Sequence, residues 1–317
     1  MPISHFGFRR RAVLKRFAWL AALGISRPAD AGLLADGPRK GRELGPAGDE
    51  GAETERGNFT LPSGAVLQRD MAYGVLPAQK LDVYRPAHAS GAPILVMVHG
   101  GGWRRGDKAM ARVIKNKVTH WVGRGWVVIS VNYRLLPAAT PLVQADDLSR
   151  ALGFVQSRAS TWGADPAKVV LMGHSAGAHL VSMLTADPTL ASRHGASAWL
   201  GTVALDSAAF DVEVIMRSRH LGLYDQAFGA DPAVWREASP FHRLTGKLVA
   251  PMMIVCSSRR PDSCPQGQAF ASKAQRLGGR VSVFPIDASH SEINEQVGKP
   301  GTYTAEIDSF MRSLGLS

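Results

Sequence analysis

Cysteine and aromatic residues are scarce in this chain. Only Cys256 and Cys264 occur among 317 residues, and Phe, Trp and Tyr together make up 7%. Two thiols are too few for a multi-bridge secreted scaffold or a four-cysteine zinc site. They leave two readings open: a disulfide across a loop that follows a strand, or a buried cysteine and an unrelated surface one. No apolar run is long enough to span a bilayer, so stable membrane insertion is not expected. Internal repeats, a P-loop pattern and ligand clusters at metal spacing are missing too, so neither a cofactor nor a metal is expected.

Negative charge is also in short supply: the formal net charge is +11. That value invites a nucleic-acid reading, but its distribution argues against one. Arg9, Arg10, Arg11, Lys15, Arg16 and Arg27 face only Asp30 within the first 31 residues. The other basic residues form no stripe interleaved with aromatics, as a nucleic-acid groove requires.

The basic front has its own logic. It runs into an apolar stretch, Phe17 to Ile25, and then into Ala29-Asp30-Ala31, a small-x-small cleavage pattern. Within it RRAVLK, Arg10 to Lys15, resembles a twin-arginine export signal. Residues 1–31 are expected to be a cleaved signal that sends the protein to the periplasm or beyond. The alternative is an amphipathic first helix in a cytoplasmic protein. Residues 32–58 carry glycine and mixed charge but few bulky apolar side chains. Such a linker buries too little surface to offset its ordering entropy. The folded domain is expected over 59–317.

From Phe59 the pattern alternates. KLDVYRP (80–86), PILVMVHG (93–100), WVVISVNY (126–133), KVVLMG (168–173), WLGTVALD (199–206), PMMIVCSS (251–258) and RVSVFPI (280–286) read as strands. Helical stretches separate them, among them 110–125, the run after Pro141, and 175–186. Continuous apolar strands alternating with helices predict an α/β fold: a mostly parallel sheet covered on both faces. Ligands of such sheets bind at the carboxyl edge.

GHSAG, Gly173 to Gly177, stands where a predicted strand gives way to a predicted helix. That context turns a common pentapeptide into a nucleophile elbow, with Ser175 lifted clear on a tight turn. Upstream, HGGGW (99–103) ends another buried strand. Acyl transfer builds negative charge on a carbonyl oxygen, and consecutive glycines let backbone N–H groups approach and stabilise it.

A serine needs a base and the base an orienting acid, in chain order Ser, acid, His. His290, in DASHSE just past the last predicted strand, is the expected base. Asp262, in the loop after the penultimate strand, is the expected acid. Asp206, at the end of the strand before that, is its rival. His174 sits inside the elbow and points elsewhere; His99 belongs to the glycine loop as a support.

Together, LDVYRP, HGGGWRRGDK, VNYRL, DPAKVVLMGHSAGAHL and SHSEIN resemble the α/β-hydrolase superfamily. The likeness is to esterase and lipase members with an HGGGW loop, including feruloyl- and acetyl-esterase-like domains. More distant are the hormone-sensitive-lipase type and the kynurenine formamidases. The resemblance implies Ser175 as nucleophile, His290 as base and Asp262 as acid. It implies an oxyanion hole from Gly101, Gly102 and the N–H of Ala176. Where family members often show D-x-x-V-P, this chain reads PDSCPQGQ; a Cys256–Cys264 bond would clamp that loop. The segment after Asp206 (VIMRSRHLGLYDQAFG) predicts a short helical cover, too small for a true lipase lid. The expected activity is a serine carboxylic-ester hydrolase acting on short-acyl or aryl esters, with a small-molecule ester as its partner. An amidase or arylformamidase on the same residues is one rival. A non-catalytic binding protein that retains the fold is another, which loss of activity in Ser175→Ala would dismiss.

Overall fold

Val127–Val131 and Gly201–Leu205 are buried at every position, so layers must cover both faces of any sheet they join. In the computed structural model, which describes residues 59–316, they lie near the middle of an eight-stranded sheet. Its strands are β1 (Ala65–Ala72), β2 (Lys80–Pro86), β3 (Ala92–Val98), β4 (Val127–Val131), β5 (Ala164–His174), β6 (Gly201–Leu205), β7 (Met252–Ser257) and β8 (Val281–Ile286). Their spatial order is β1-β2-β4-β3-β5-β6-β7-β8. β2 pairs antiparallel with β1 and with β4, and every other neighbouring pair is parallel. β1, AVLQRDMA, went unread in the sequence because an edge strand with one solvated face carries no apolar run.

The connecting helices are α1 (Ala111–Lys117), α2 (Pro141–Arg158), α3 (Ala176–Ala186) and α4 (Pro188–Ser192). Between β6 and β7 come α5 (Val212–Met216), α6 (Gly222–Phe228), α7 (Pro232–Glu237) and α8 (Pro240–Arg243). α9 (Ser263–Arg276) follows β7, and α10 (His290–Gln296) and α11 (Thr302–Ser313) follow β8. The helix expected over 110–125 is α1 followed by a π-helical turn at Val118–Val122. Among the described residues no helix is long and apolar enough to cross a membrane. The expected signal and linker, residues 1–31 and 32–58, lie outside the described residues.

The two-residue period of a strand divides the core. Ile94, Val96, Val169 and Leu171 join one apolar cluster with Leu148 and Leu152 of α2 and Leu180 of α3. Leu95, Met97, Val170 and Met172 join another with Ile114 of α1, Ile293 of α10 and Ile307 of α11. The sheet is thereby clamped between helical layers, and its parallel strands deliver their carboxyl ends to one edge.

Lys117 braces that edge from behind. Its buried Nζ donates to the backbone carbonyl of Asn294 at 2.7 Å and to the Asn294 side chain at 2.9 Å, tying α1 to α10. Burial pushes the ammonium down to about 7. Above that pH the native protein has released a proton that the unfolded chain still holds. Stability is therefore expected to rise between about pH 7 and pH 10 and to bear the full penalty below pH 7. Replacing Lys117 with Met should flatten this rise, as read from urea midpoints of both proteins across that range.

Candidate active site

The elbow is built by exclusion of side chains. A Cβ at Gly173 would lie 2.3 Å from the Gly177 carbonyl oxygen, and one at Gly177 would lie 2.2 Å from that of Val98. Only glycine permits the strand and helix to approach this closely. Ser175 sits between them with φ 54° and ψ −118°, at the N-cap of α3. Its N–H donates to Leu205 O at 2.9 Å, and its carbonyl accepts from His179 N at 3.0 Å. Four described non-glycine residues have positive φ, and three of them, Trp103, Ser175 and Asp206, belong to this site. Each such conformation costs on the order of 1–3 kcal/mol and persists only where the surroundings enforce it.

HGGGW leaves β3 and lies directly against the elbow: a Cβ at Gly100 would come within 3.0 Å of Ser175 Cβ. Among the described residues, the N–H groups of Gly101, Gly102 and Ala176 have no hydrogen-bond acceptor. For Ala176 that follows from its place in the first turn of a helix. His99 supports the loop from beneath. Its Nδ1–H donates to Gly100 O at 2.7 Å, its ring stacks on Tyr133 at 4.5 Å, and burial lowers its pKa. The Tyr133 hydroxyl donates to His99 O at 2.9 Å.

Trp103 closes the loop. Its indole N–H donates to His179 Nδ1 at 3.2 Å, and His179 Nε2–H donates to the Ala238 carbonyl at 2.7 Å. Burial pushes His179 down to about 4, so the neutral ring keeps one donor and one acceptor for these two bonds. A histidine on the nucleophile helix thus ties the glycine loop to the segment that enters α8. No sequence signal distinguished it from an ordinary core histidine.

His290 opens α10 behind a capping box formed by Ser289 and Glu292. Its Nδ1–H donates to Asp206 Oδ2 at 2.6 Å. Asp206 has no solvent exposure. Its Oδ1 accepts from Ser257 N at 2.8 Å and from the Ser263 hydroxyl, while Oδ2 also accepts from Arg260 Nη1 at 2.8 Å. Burial by itself would raise this carboxyl. The hydrogen bond from His290, the Arg260 charge and the Ser263 hydroxyl override it and hold the group well below the usual carboxylate range.

The acid expected at Asp262 is therefore corrected to Asp206. Asp262 occupies the N-cap position of α9 with 49% of its side chain exposed, and its ionic contact is with Arg260 Nη2 at 3.5 Å. The physical reason lies in the loop between β7 and α9. Cys256 and Cys264 are joined by a disulfide, and the loop closed between them presents Ser257, Arg260 and Ser263 to Asp206. Asp206, the residue just past β6, is the carboxylate that meets His290 at the start of α10. None of Ser257, Arg260 and Ser263 carried a sequence signal.

The elbow and the base are neighbours. His174, the residue before Ser175, donates its Nε2–H to the His290 carbonyl at 2.9 Å, and the two rings lie 4.5 Å apart. Burial, and then the His290 charge, push His174 well down, which leaves it a neutral strut. Among the described residues Ser175 Oγ makes no hydrogen bond; catalytic contacts of this type tighten when substrate binds. No group of three His, Cys, Asp or Glu side chains suited to a metal ion occurs among the described residues.

The BD-FAE family model matches residues 81–206, from β2 to Asp206, and so spans the glycine loop and the elbow. The isoprenylcysteine alpha-carbonyl methylesterase ICME of Arabidopsis thaliana is 27% identical over 68% of this chain and 54% of its own length. Esterase LipQ of Mycobacterium tuberculosis is 29% identical over 69% of this chain and 55% of its own. The chain thus spans about half the length of these relatives. Among solved structures, esterase B from Lactobacillus rhamnosis superposes with a TM-score of 0.65 at 20% identity, covering 81% of this chain and 87% of that one. Esterase 2 of Thermogutta terrifontis phosphonylated by sarin gives 0.65 at 21%, covering 80% and 96%.

The two candidate acids separate experimentally. Asp206→Asn is expected to lower kcat by roughly 10⁴-fold, the scale set by loss of an orienting carboxylate in a serine–histidine site. Asp262→Asn should leave kcat within about twofold, as suits an exposed ionic contact. Steady-state ester hydrolysis by the two variants checks both expectations.

Proposed function

We propose that this chain, an α/β-hydrolase by fold, is a serine carboxylic-ester hydrolase. One observation carries the reading: a buried carboxylate, Asp206, bonded to His290 at 2.6 Å beside a serine held at φ 54°. In the reaction Ser175 Oγ attacks the ester carbonyl while His290 Nε2 takes its proton. The N–H groups of Gly101, Gly102 and Ala176 receive the charge that develops on the carbonyl oxygen. Each such donor is worth on the order of 10²–10³ in rate. Collapse breaks the acyl C–O bond, and His290 returns the proton to the leaving alcohol. Water, deprotonated by His290 in turn, then releases the acid from Ser175. Asp206 keeps the proton-bearing Nδ1 oriented and offsets the charge on the ring.

Short-acyl or aryl esters suit the cover over this site. The helices α5 to α8 have between 4 and 7 residues. Tyr224 and Phe228 of α6 pack on Trp103 with ring centroids 5.8 and 5.0 Å away, filling the space above the glycine loop. The relatives, a methylesterase and an esterase, support hydrolysis of a carboxylic ester. Export through the twin-arginine-like segment belongs to the same proposal, and the Cys256–Cys264 disulfide supports an oxidising compartment.

A p-nitrophenyl ester series of increasing chain length, run beside fluorophosphonate labelling, tests the reading. Turnover is expected to be highest for short acyl chains. Ser175→Ala should lose labelling and at least about 10³-fold in kcat. Unchanged activity in that variant rejects the mechanism, and preferential cleavage of an aryl formamide reassigns the chain to the amidases.

A further inference from the structure

The loop expected to supply the acid supplies an arginine instead. Asp206 Oδ2 accepts two hydrogen bonds, from His290 Nδ1 at 2.6 Å and from Arg260 Nη1 at 2.8 Å. The same Nη1 donates to the Asp206 carbonyl at 3.2 Å and lies 3.0 Å from His290 Nδ1. Two donors therefore meet at one carboxylate oxygen. A serine–histidine–aspartate site requires only the first of them.

We propose that Arg260 is a positioning residue of the Asp206–His290 pair, closing the remaining acceptor site of Asp206 Oδ2 and fixing a positive charge beside the base. Two consequences follow from that placement. With Oδ1 held by Ser257 and Ser263 and Oδ2 by His290 and Arg260, the carboxylate cannot rotate, and the imidazole plane is set with it. The guanidinium also offsets part of the Asp206 charge that favours protonation of the ring. A positive charge on the ring would stand 3.0 Å from Arg260 Nη1.

The loop is built to deliver this side chain. Arg260 N donates to Ser257 O in a turn, Pro261 follows and restricts the backbone, and the disulfide ties Cys256 at the end of β7 to Cys264 in the first turn of α9. Burial raises the Tyr224 hydroxyl of α6 to about 12, and the Arg260 charge opposes that shift from across the loop. Arg260 is 27% exposed, and the cost of its burial is outweighed by Asp206 and Asp262.

Other charged or titratable groups face His290 from the surrounding elements. His174 at the end of β5 is held neutral by burial, and Glu292 of α10 is bonded to Ser289 and Arg259. Lys117 of α1, which burial brings to about 7, is bonded to Asn294 of α10, and Tyr303 of α11 is buried and protonated. All of these remain in place when Arg260 alone is changed, so a difference between variant and parent reports Arg260.

The kinetic part of this inference rests on the esterase reading; the electrostatic part does not. The test therefore pairs an NMR titration of the His290 imidazole with pH profiles of kcat/KM, for the parent, Arg260→Gln and Arg260→Lys. In Arg260→Gln the imidazole should titrate at a higher pH than in the parent, as loss of a unit charge 3.0 Å from Nδ1 implies. The acid limb of kcat/KM should move with it, and kcat should fall about tenfold with KM unchanged. Arg260→Lys, which keeps the charge but not the fork, should restore the titration while recovering kcat only in part. An unmoved titration in folded Arg260→Gln overturns the proposal, as does an effect confined to KM, which would make Arg260 a substrate contact. A moved titration in a protein without ester turnover upholds the proposal and sinks the esterase reading alone.

Discussion

A carboxylate with no solvent exposure remains ionised only if hydrogen bonds and opposite charge replace the water it has lost. Asp206 is such a group, and much of the site is arranged to keep it charged. One oxygen is satisfied by a backbone N–H and a hydroxyl from the disulfide-closed loop, the other by an imidazole and a guanidinium. Three elements therefore converge on one carboxylate: the end of β6, the loop between β7 and α9, and the start of α10. Removing a partner from a buried charge of this kind costs about 3–5 kcal/mol, because the remaining charge stays buried and unpaired. The same bonds that stabilise the carboxylate fix the orientation of the base.

The parallel sheet makes this convergence possible. Its strands end along one edge, and the residues just past β3, β5, β6, β7 and β8 meet there without long connections. The positive φ values of Trp103, Ser175 and Asp206 show where the backbone has been bent to bring the groups together. Packing bears the cost: the strand ends that lead into these residues are buried, and their side chains alternate into two helical layers. Neutral histidines then act as spacers. His99, His174 and His179 each use ring nitrogens to bind a backbone carbonyl, and burial keeps all three from competing as bases.

Much of this was legible in the residues themselves. Apolar runs alternating with amphipathic stretches specify a parallel sheet, since only strands covered on both faces can be apolar at every position. Gly173 and Gly177 around Ser175, and the glycines after His99, announce backbone approaches that a Cβ forbids. Such requirements are local: they depend on a few consecutive residues and on the geometry of one turn, so the sequence by itself determined the fold class, the elbow and the glycine loop.

Tertiary structure alone decided which carboxylate reaches His290. Asp206 and Asp262 each follow a strand of the sheet, and nothing in their neighbours ranks one above the other. The choice depends on where the loop after β7 turns once a disulfide closes it, and on the meeting of the residue past β6 with the first residue of α10. Arg260 was silent for the same reason. A charged residue before a proline in a loop reads as surface, and it becomes part of a buried ion pair only when elements 54 residues apart in the chain are brought together.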